Sequence, residues 1–131
     1  MYSSLENPGK MQHLLLVDDD FSSLAFMQKY LENYFILHAA SNAKQALRLI
    51  KENNYYGFLI DIKLGTGMNG LELMTEIRNI NWYKSAPIIA ITALFTPTDV
   101  NFLKKKGFDD VVIKPFTKDM LLEKLHSRIF I

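Results

Sequence analysis

The stretch Tyr55-Tyr56-Gly57-Phe58-Leu59-Ile60-Asp61 decides how this chain folds. Its Phe, Leu and Ile run is too short for a helix, and Gly57 before it and Gly65 and Gly67 after it break the chain on both sides. A run of this kind, without polar alternation, fits a strand buried on both faces of a sheet. Asp61 therefore arrives where the strand leaves the core. In an open α/β sheet, ligands collect at the carboxyl ends of the strands. A lone Asp in that place does no more than end a strand or cap a turn. Asp61 is not alone, because Asp18-Asp19-Asp20, Thr92 and Lys114 each follow an apolar run of the same kind.

Working outward, His13-Leu14-Leu15-Leu16-Val17 predicts a first strand stopped by the three acids. Leu24, Phe26-Met27 and Tyr30-Leu31 then recur at helical spacing, with Asp20 or Ser22 as N-cap. Phe35-Ile36-Leu37 predicts a second strand. Asn42 caps a helix carrying Ala43, Ala46-Leu47 and Leu49-Ile50, and Asn53-Asn54 ends it. Beyond Asp61, a loop with Gly65, Gly67 and Gly70 leads into a helix with Leu71, Leu73-Met74 and Ile77, followed by a connector from Asn79 to Ser85. Pro87-Ile88-Ile89-Ala90-Ile91 predicts a fourth strand ending at Thr92. Thr96 and Pro97 open a helix through Val100 and Phe102-Leu103 to Lys106, and Gly107 closes it. Val111-Val112-Ile113 predicts a fifth strand running into Lys114-Pro115, a tight connection that suits a cis bond. Thr117 caps a last helix with Met120-Leu121-Leu122, Leu125 and Ile129. Strand and helix alternate throughout, which predicts a parallel sheet with helices on both faces and right-handed crossovers.

The 131 residues, 49% of them hydrophobic, are enough for one such domain. Residues 1–10 read as a loose leader and 11–131 as the domain, with no second domain expected after the last helix. A net charge of +1 argues against a nucleic-acid or polyanion binder. The absence of cysteine excludes disulfides and thiolate metal sites. No apolar run approaches the ~18 residues of a membrane span, and residues 1–10 lack the apolar core of a signal peptide. A soluble, cytoplasmic protein without membrane attachment is the expectation. His13, His38 and His126 are scattered and lack metal-ligand spacing.

Parallel strands share one carboxyl edge, so Asp18, Asp19, Asp61, Thr92 and Lys114 converge there. Carboxylates gathered in one place raise each other's pKa. A cation among them and the ammonium of Lys114 are the two available remedies. Hard oxygen donors suit Mg²⁺, which works with carboxylates and a phosphate. Asp is a competent nucleophile toward phosphoryl groups. Lys114 and the Thr92 hydroxyl are placed to meet charge on the transferring oxygens. Phosphoryl transfer onto an Asp is the reaction this set supports.

The combination resembles the receiver domain of two-component response regulators, the chemotaxis-regulator-like fold. The resemblance covers the chain from Met11 onward. It is carried by Leu15-Leu16-Val17-Asp18-Asp19-Asp20, by Leu59-Ile60-Asp61 with Gly67-Met68-Asn69-Gly70-Leu71-Glu72-Leu73, by Ile89-Ala90-Ile91-Thr92-Ala93, and by Gly107-Phe108-Asp109-Asp110 leading to Ile113-Lys114-Pro115-Phe116. It implies a doubly wound, flavodoxin-like sheet of five parallel strands in the order 2-1-3-4-5. It implies that Asp61 accepts a phosphoryl group from a phosphohistidine of a sensor kinase or phosphotransfer protein. Asp19 would hold Mg²⁺ directly and Asp18 through water, with Asp61 and the backbone carbonyl of Lys63 completing the ligands. Thr92 would sense the phosphoryl group and Lys114 would pair with it. The domain would be a stand-alone phospho-acceptor rather than a dedicated enzyme. It would signal to an unnamed protein target through its fourth helix, fifth strand and fifth helix, as a monomer or weak dimer. Phe26 and Phe116 would meet the phosphoryl donor.

Three features depart from the family pattern. The loop through Gly65-Thr66-Gly67 is one residue longer than the commonest form. Val111 stands where an aromatic residue usually moves with the Thr, and a β-branched side chain has no such freedom; the loop after Thr92 would carry the signal instead. Lys63 and Leu94 occupy variable positions flanking the path of attacking water, where their bulk would lengthen the life of an acyl phosphate. Three rival readings remain at this point. Asp18-x-Asp20 with Ser22 also matches the opening of haloacid-dehalogenase-type phosphatases, with Asp18 as nucleophile and Asp20 as acid. A receiver-like binding module that is never phosphorylated would keep the fold alone. A flavodoxin-like cofactor binder would need a phosphate loop where three acids stand.

Overall fold

A computed structural model describes residues 11–93 and 96–129. The leader at residues 1–10 and Leu94 lie outside the described residues. The elements in chain order are β1 (His13–Val17), α1 (Phe21–Leu31), β2 (Ile36–Ala40), α2 (Ala43–Glu52), β3 (Gly57–Asp61), α3 (Gly70–Arg78), β4 (Ile88–Thr92), α4 (Pro97–Lys106), β5 (Asp110–Ile113) and α5 (Lys118–Arg128). All strand pairs are parallel and the sheet order is β2-β1-β3-β4-β5.

Side-chain alternation along each strand divides the core into two layers. Leu15, Val17, Phe58, Ile60, Ala90 and Val111 pack with Ala46 and Ile50 of α2, Leu73, Met74 and Ile77 of α3, and Leu103 of α4. Leu14, Leu16, Leu59, Ile89, Ile91 and Val112 pack with Leu24, Met27 and Leu31 of α1 and Leu121, Leu122 and Leu125 of α5. Right-handed crossovers produce this division: the chain leaves β1 toward β2 in one direction and returns to β3, β4 and β5 in the other. The direction reverses between β1 and β3, and their carboxyl ends flank the crevice that results.

Helix starts follow their caps. The Asp20 carboxylate accepts the Ser22 N–H at 2.9 Å, Asn42 accepts from Gln45, and Thr117 accepts from Met120. Asn69 and Glu72 cap α3 reciprocally, each side chain accepting the other's backbone N–H. Lys114–Pro115 is cis.

Two elements differ from expectation. The second strand begins at Ile36 and extends through His38 to Ala40, while Phe35 turns into the core. Pairing with β1, from His13↔Ile36 to Val17↔Ala40, recruits residues that carry little strand propensity of their own. The connector after α3 contains a short 3₁₀ turn, Asn81–Tyr83, which buries Tyr83 so that its hydroxyl accepts the Tyr55 N–H at 3.0 Å. Arg78 fixes this connector, donating to the carbonyls of Tyr83, Lys84, Ala86 and Gly107 and to Asp109 Oδ2.

The edge strand β5 opens on a buried acid. Asp110 Oδ1 accepts the Val111 N–H and faces Lys124 at 3.4 Å and Lys104 at 3.7 Å, while Oδ2 faces Arg128 at 3.5 Å. Lys104 comes from one helix layer and Lys124 and Arg128 from the other, so this carboxylate ties the layers together around the sheet edge. Burial works to raise the Asp110 pKa, but the Val111 N–H, Lys124 and Lys104 outweigh it and hold the carboxyl below its ordinary value. A lowered folded pKa stabilises the protein above the unfolded value, near 4, and that stabilisation is lost as pH falls through the folded pKa. Asp110→Asn is expected to lose about 1–2 kcal/mol of unfolding free energy at neutral pH. In urea titrations across pH the difference from wild type should shrink on acidification below about pH 4.

Candidate functional site

The acidic edge is assembled by strand register. Val17 of β1 stands opposite Ile60 of β3, so the next residues, Asp18 and Asp61, emerge side by side. The Asp18 N–H continues the sheet by donating to Ala40 O at 3.1 Å, and Asp18 Oδ1 accepts the Asp20 N–H at 2.9 Å. Asp61 is held from both directions along the chain. The Ile62 N–H donates to Ile91 O at 3.1 Å, and the Gly70 N–H donates to Ile62 O at 2.8 Å. A Cβ at Gly70 would lie 2.1 Å from the Asp61 carbonyl oxygen, so only glycine lets α3 begin against the end of β3. On the far side, the Lys114 N–H donates to Thr92 O at 2.8 Å and carries Lys114 past β4 toward the acids.

Carboxylate oxygens of Asp18, Asp19 and Asp61 all lie within 4.8 Å of one another. Lys114 Nζ stands 2.8 Å from Asp18 Oδ2 and 3.2 Å from Asp61 Oδ2. The contact to Asp18 is the shorter of the two. Asp18 Oδ2 is buried against the Lys114 ammonium. One ammonium thus serves two buried acids with a third beside them. Burial first, then the neighbouring Asp18 carboxylate, push the Asp61 pKa up to about 6, and Lys114 offsets this only in part. Burial works to lower the Lys114 pKa, but Asp18 and Asp61 outweigh it and raise it.

The donor set is oxygen only, crowded and under-neutralised, with three carboxylates facing one ammonium, which suits a hard divalent cation. Above it opens a cleft of about 500 Å³ lined by Asp19, Asp20, Asp61, Ile62, Lys63, Thr92, Ala93 and Lys114. The Lys63 N–H reaches Asp61 Oδ1 at 3.3 Å. Every candidate residue named above at this edge is therefore brought together: Asp18, Asp19, Asp61, Lys63, Thr92 and Lys114. Asp20 lines the rim, but its carboxylate is committed to the α1 cap. Gly70 and the Asn69–Glu72 cap join these residues as the frame that seats α3 against the end of β3. Their signal in the sequence is a glycine directly before a helix in the loop that follows Asp61. Val111 is buried on the α4 side of the sheet, so the usual aromatic partner of the Thr is missing from that position. Phe26 and Phe116 are joined through Tyr30, whose ring lies 6.1 Å from the first and 6.2 Å from the second.

A doubly wound parallel sheet with paired acids and a lysine at its carboxyl edge defines a class of α/β signalling domain. The chain belongs to the response regulator receiver domain family, which it matches over residues 14–126. Members of this family act in two-component systems as phospho-acceptors rather than as dedicated enzymes. Among curated relatives, the transcriptional regulatory protein SrrA of Staphylococcus aureus is 36% identical over 105 residues, 79% of this chain and 42% of that protein. The chain thus spans about two fifths of the length of such relatives. The receiver domain of the Francisella response regulator 1452 is 31% identical with a TM-score of 0.78, over 88% of this chain and 94% of that one. The chemotaxis response regulator CheY4 of Vibrio cholerae shares the fold with a TM-score of 0.84 at 24% identity, over 90% and 98% of the two chains. Family membership decides against the phosphatase and flavodoxin-like cofactor readings. Among the described residues, no helix is long and apolar enough to cross a membrane.

The raised Asp61 pKa carries a sign. A carboxyl whose folded pKa exceeds its unfolded value destabilises the fold as pH rises through that interval, here from about 4 to about 6. In excess chelator, Asp61→Asn should therefore melt a few degrees above wild type at neutral pH, a gain of about 1–2 kcal/mol. The gain should vanish below about pH 4. Thermal melts monitored by circular dichroism check both parts.

Proposed function

We propose that this chain is the phospho-acceptor of a two-component relay and that Asp61 is the accepting residue. The observation that carries the reading is the sharing of Lys114 between Asp18 and Asp61, with Asp19 completing a triad of carboxylates. An Asp61 carboxylate oxygen attacks the phosphorus of a phosphohistidine on a sensor kinase or phosphotransfer protein. A P–O bond to Asp61 forms and the P–N bond breaks. The imidazole departs with the bonding electron pair and takes up a proton.

Lys114 neutralises one phosphoryl oxygen at the position where its ammonium already meets Asp61. The Thr92 hydroxyl, on the wall of the same cleft, donates to another. Asp18, Asp19, Asp61 and the Lys63 carbonyl would hold Mg²⁺, which supplies positive charge to the phosphoryl oxygens when bound. The ionised form of Asp61 is the nucleophile, and Lys114 together with the cation favours that form over the protonated one.

Phosphorylation shifts a two-state equilibrium that is read at the face of α4, β5 and α5. Buried Val111 has no swing between poses, so the loop following Thr92 transmits the change. The donor approaches the cleft across the Phe26–Tyr30–Phe116 ring series. The protein works in the cytoplasm and signals by binding a protein target.

Incubation with acetyl phosphate and Mg²⁺, followed by proteolysis and peptide mapping, should place the phosphoryl group on the peptide carrying Asp61. Asp61→Asn and chelation should each abolish the label, and Lys114→Ala should reduce it strongly. A label on Asp18 or Asp20 instead would overturn the assignment.

A further inference from the structure

We propose that the face formed by α4, β5 and α5 binds an acidic segment of a partner protein. The inference rests on the receiver reading for the role of this face, but its chemistry comes from the ion pairs around Asp110. Three cations, Lys104, Lys124 and Arg128, converge on that one carboxylate. Their side chains remain 42%, 46% and 43% exposed, whereas the Asp110 side chain is only 7% exposed. A molecule approaching from solvent therefore meets the cations and not the acid. Asp110 neutralises one of the three charges and leaves about two unbalanced.

The shared acid also fixes where the positive charge lies. Lys104 reaches the start of β5 from one side of the sheet, and Lys124 and Arg128 reach it from the other, so the cations border the edge strand on both sides. Met120, half exposed at 47%, lies one helical turn before Lys124 on the same flank of α5. An acidic segment with an apolar residue against Met120 and carboxylates against Lys104, Lys124 and Arg128 matches this layout.

Charge decides between occupants. A second copy of the chain, presenting the same face across a two-fold axis, would set excess positive charge against excess positive charge. A nucleic acid needs a longer uninterrupted run of cations, since binding strength depends on the number of phosphates neutralised, and here exposed Asp119 and Glu123 stand between Lys118 and Lys124 on α5. An acidic peptide meets the requirement with a few carboxylates.

The probe is a synthetic peptide alternating paired Glu and Leu residues, compared with its Lys-for-Glu counterpart and with a short DNA duplex. Binding is measured by calorimetry and mapped by amide chemical shifts, with Mg²⁺ alone and with Mg²⁺ plus beryllofluoride. The acidic peptide should bind at least about tenfold tighter than the basic one, weaken with added salt, and shift signals of Lys104, Lys124 and Met120. Lys104→Gln with Lys124→Gln should lose about tenfold in affinity. Because both touch Asp110, Met120→Ala serves as a variant outside the ion-pair cluster, and it should weaken binding with the melting temperature retained. Equal affinity for the two peptides, preference for the duplex, shifts mapped to another face, or self-association through these residues would each overturn the proposal. Equal binding of the acidic peptide with and without beryllofluoride would leave this surface standing and remove the phosphorylation-gated output.

Discussion

Mutual repulsion among Asp18, Asp19 and Asp61, restrained by one lysine, is the constraint on which the rest of this molecule depends. Like charges in a poorly solvated place cost stability, and the shift of Asp61 toward neutrality, caused first by burial and then by Asp18, registers that cost. The protein does not relieve it by moving the acids apart. Register between β1 and β3 holds Asp18 beside Asp61, the cap at α1 turns Asp20 outward, and Gly70 presses α3 against the end of β3. Each of these devices keeps carboxylates in a crevice that wants positive charge. An acidic pocket built this rigidly is suited to a cation and to the oxygens of a phosphoryl group together, because each partner offsets what the other lacks.

Lys114 connects that pocket to the edge strand β5 and the basic cluster at its start. Its backbone N–H extends the pairing with β4 by bonding Thr92 O, while its ammonium contacts two acids from two other strands. It stands at the end of β5, the strand whose opposite end begins with Asp110 and its three cations. One short edge strand thus carries an under-neutralised acidic site at its carboxyl end and an excess of positive charge at its start. The two ends are linked by a buried run, Val111-Val112, that packs into both helix layers. A rearrangement near Thr92 and Lys114 therefore acts on the same element that orders the basic face.

The fold was legible because its signals are local and mutually consistent. Short apolar runs, Asn and Thr caps, Pro97 at a helix start and Gly107 at a helix end all punctuate the chain at the right places. The errors have a shared cause. His38-Ala39-Ala40 became strand because β1 offered a pairing edge, and the 3₁₀ turn at Asn81–Tyr83 formed because Arg78 and Tyr55 hold it from elsewhere. No local propensity encodes those partners. The same holds for Tyr30 between Phe26 and Phe116, and for the convergence of Lys104, Lys124 and Arg128 on Asp110.

The order of residues by itself determined that acids, a threonine and a lysine would each follow a strand, and hence that they would share the carboxyl edge of a parallel sheet. Periodicity and caps are sufficient for this, since side-chain direction in strands and helices repeats with fixed spacing. Tertiary structure alone decided how one ammonium is divided between two carboxylates, how deeply Asp18 is buried beside it, and why position 70 admits only glycine. Those outcomes depend on distances of a few ångströms between segments far apart in the chain. Such distances are set by sheet register and layer packing, which no single stretch of sequence contains.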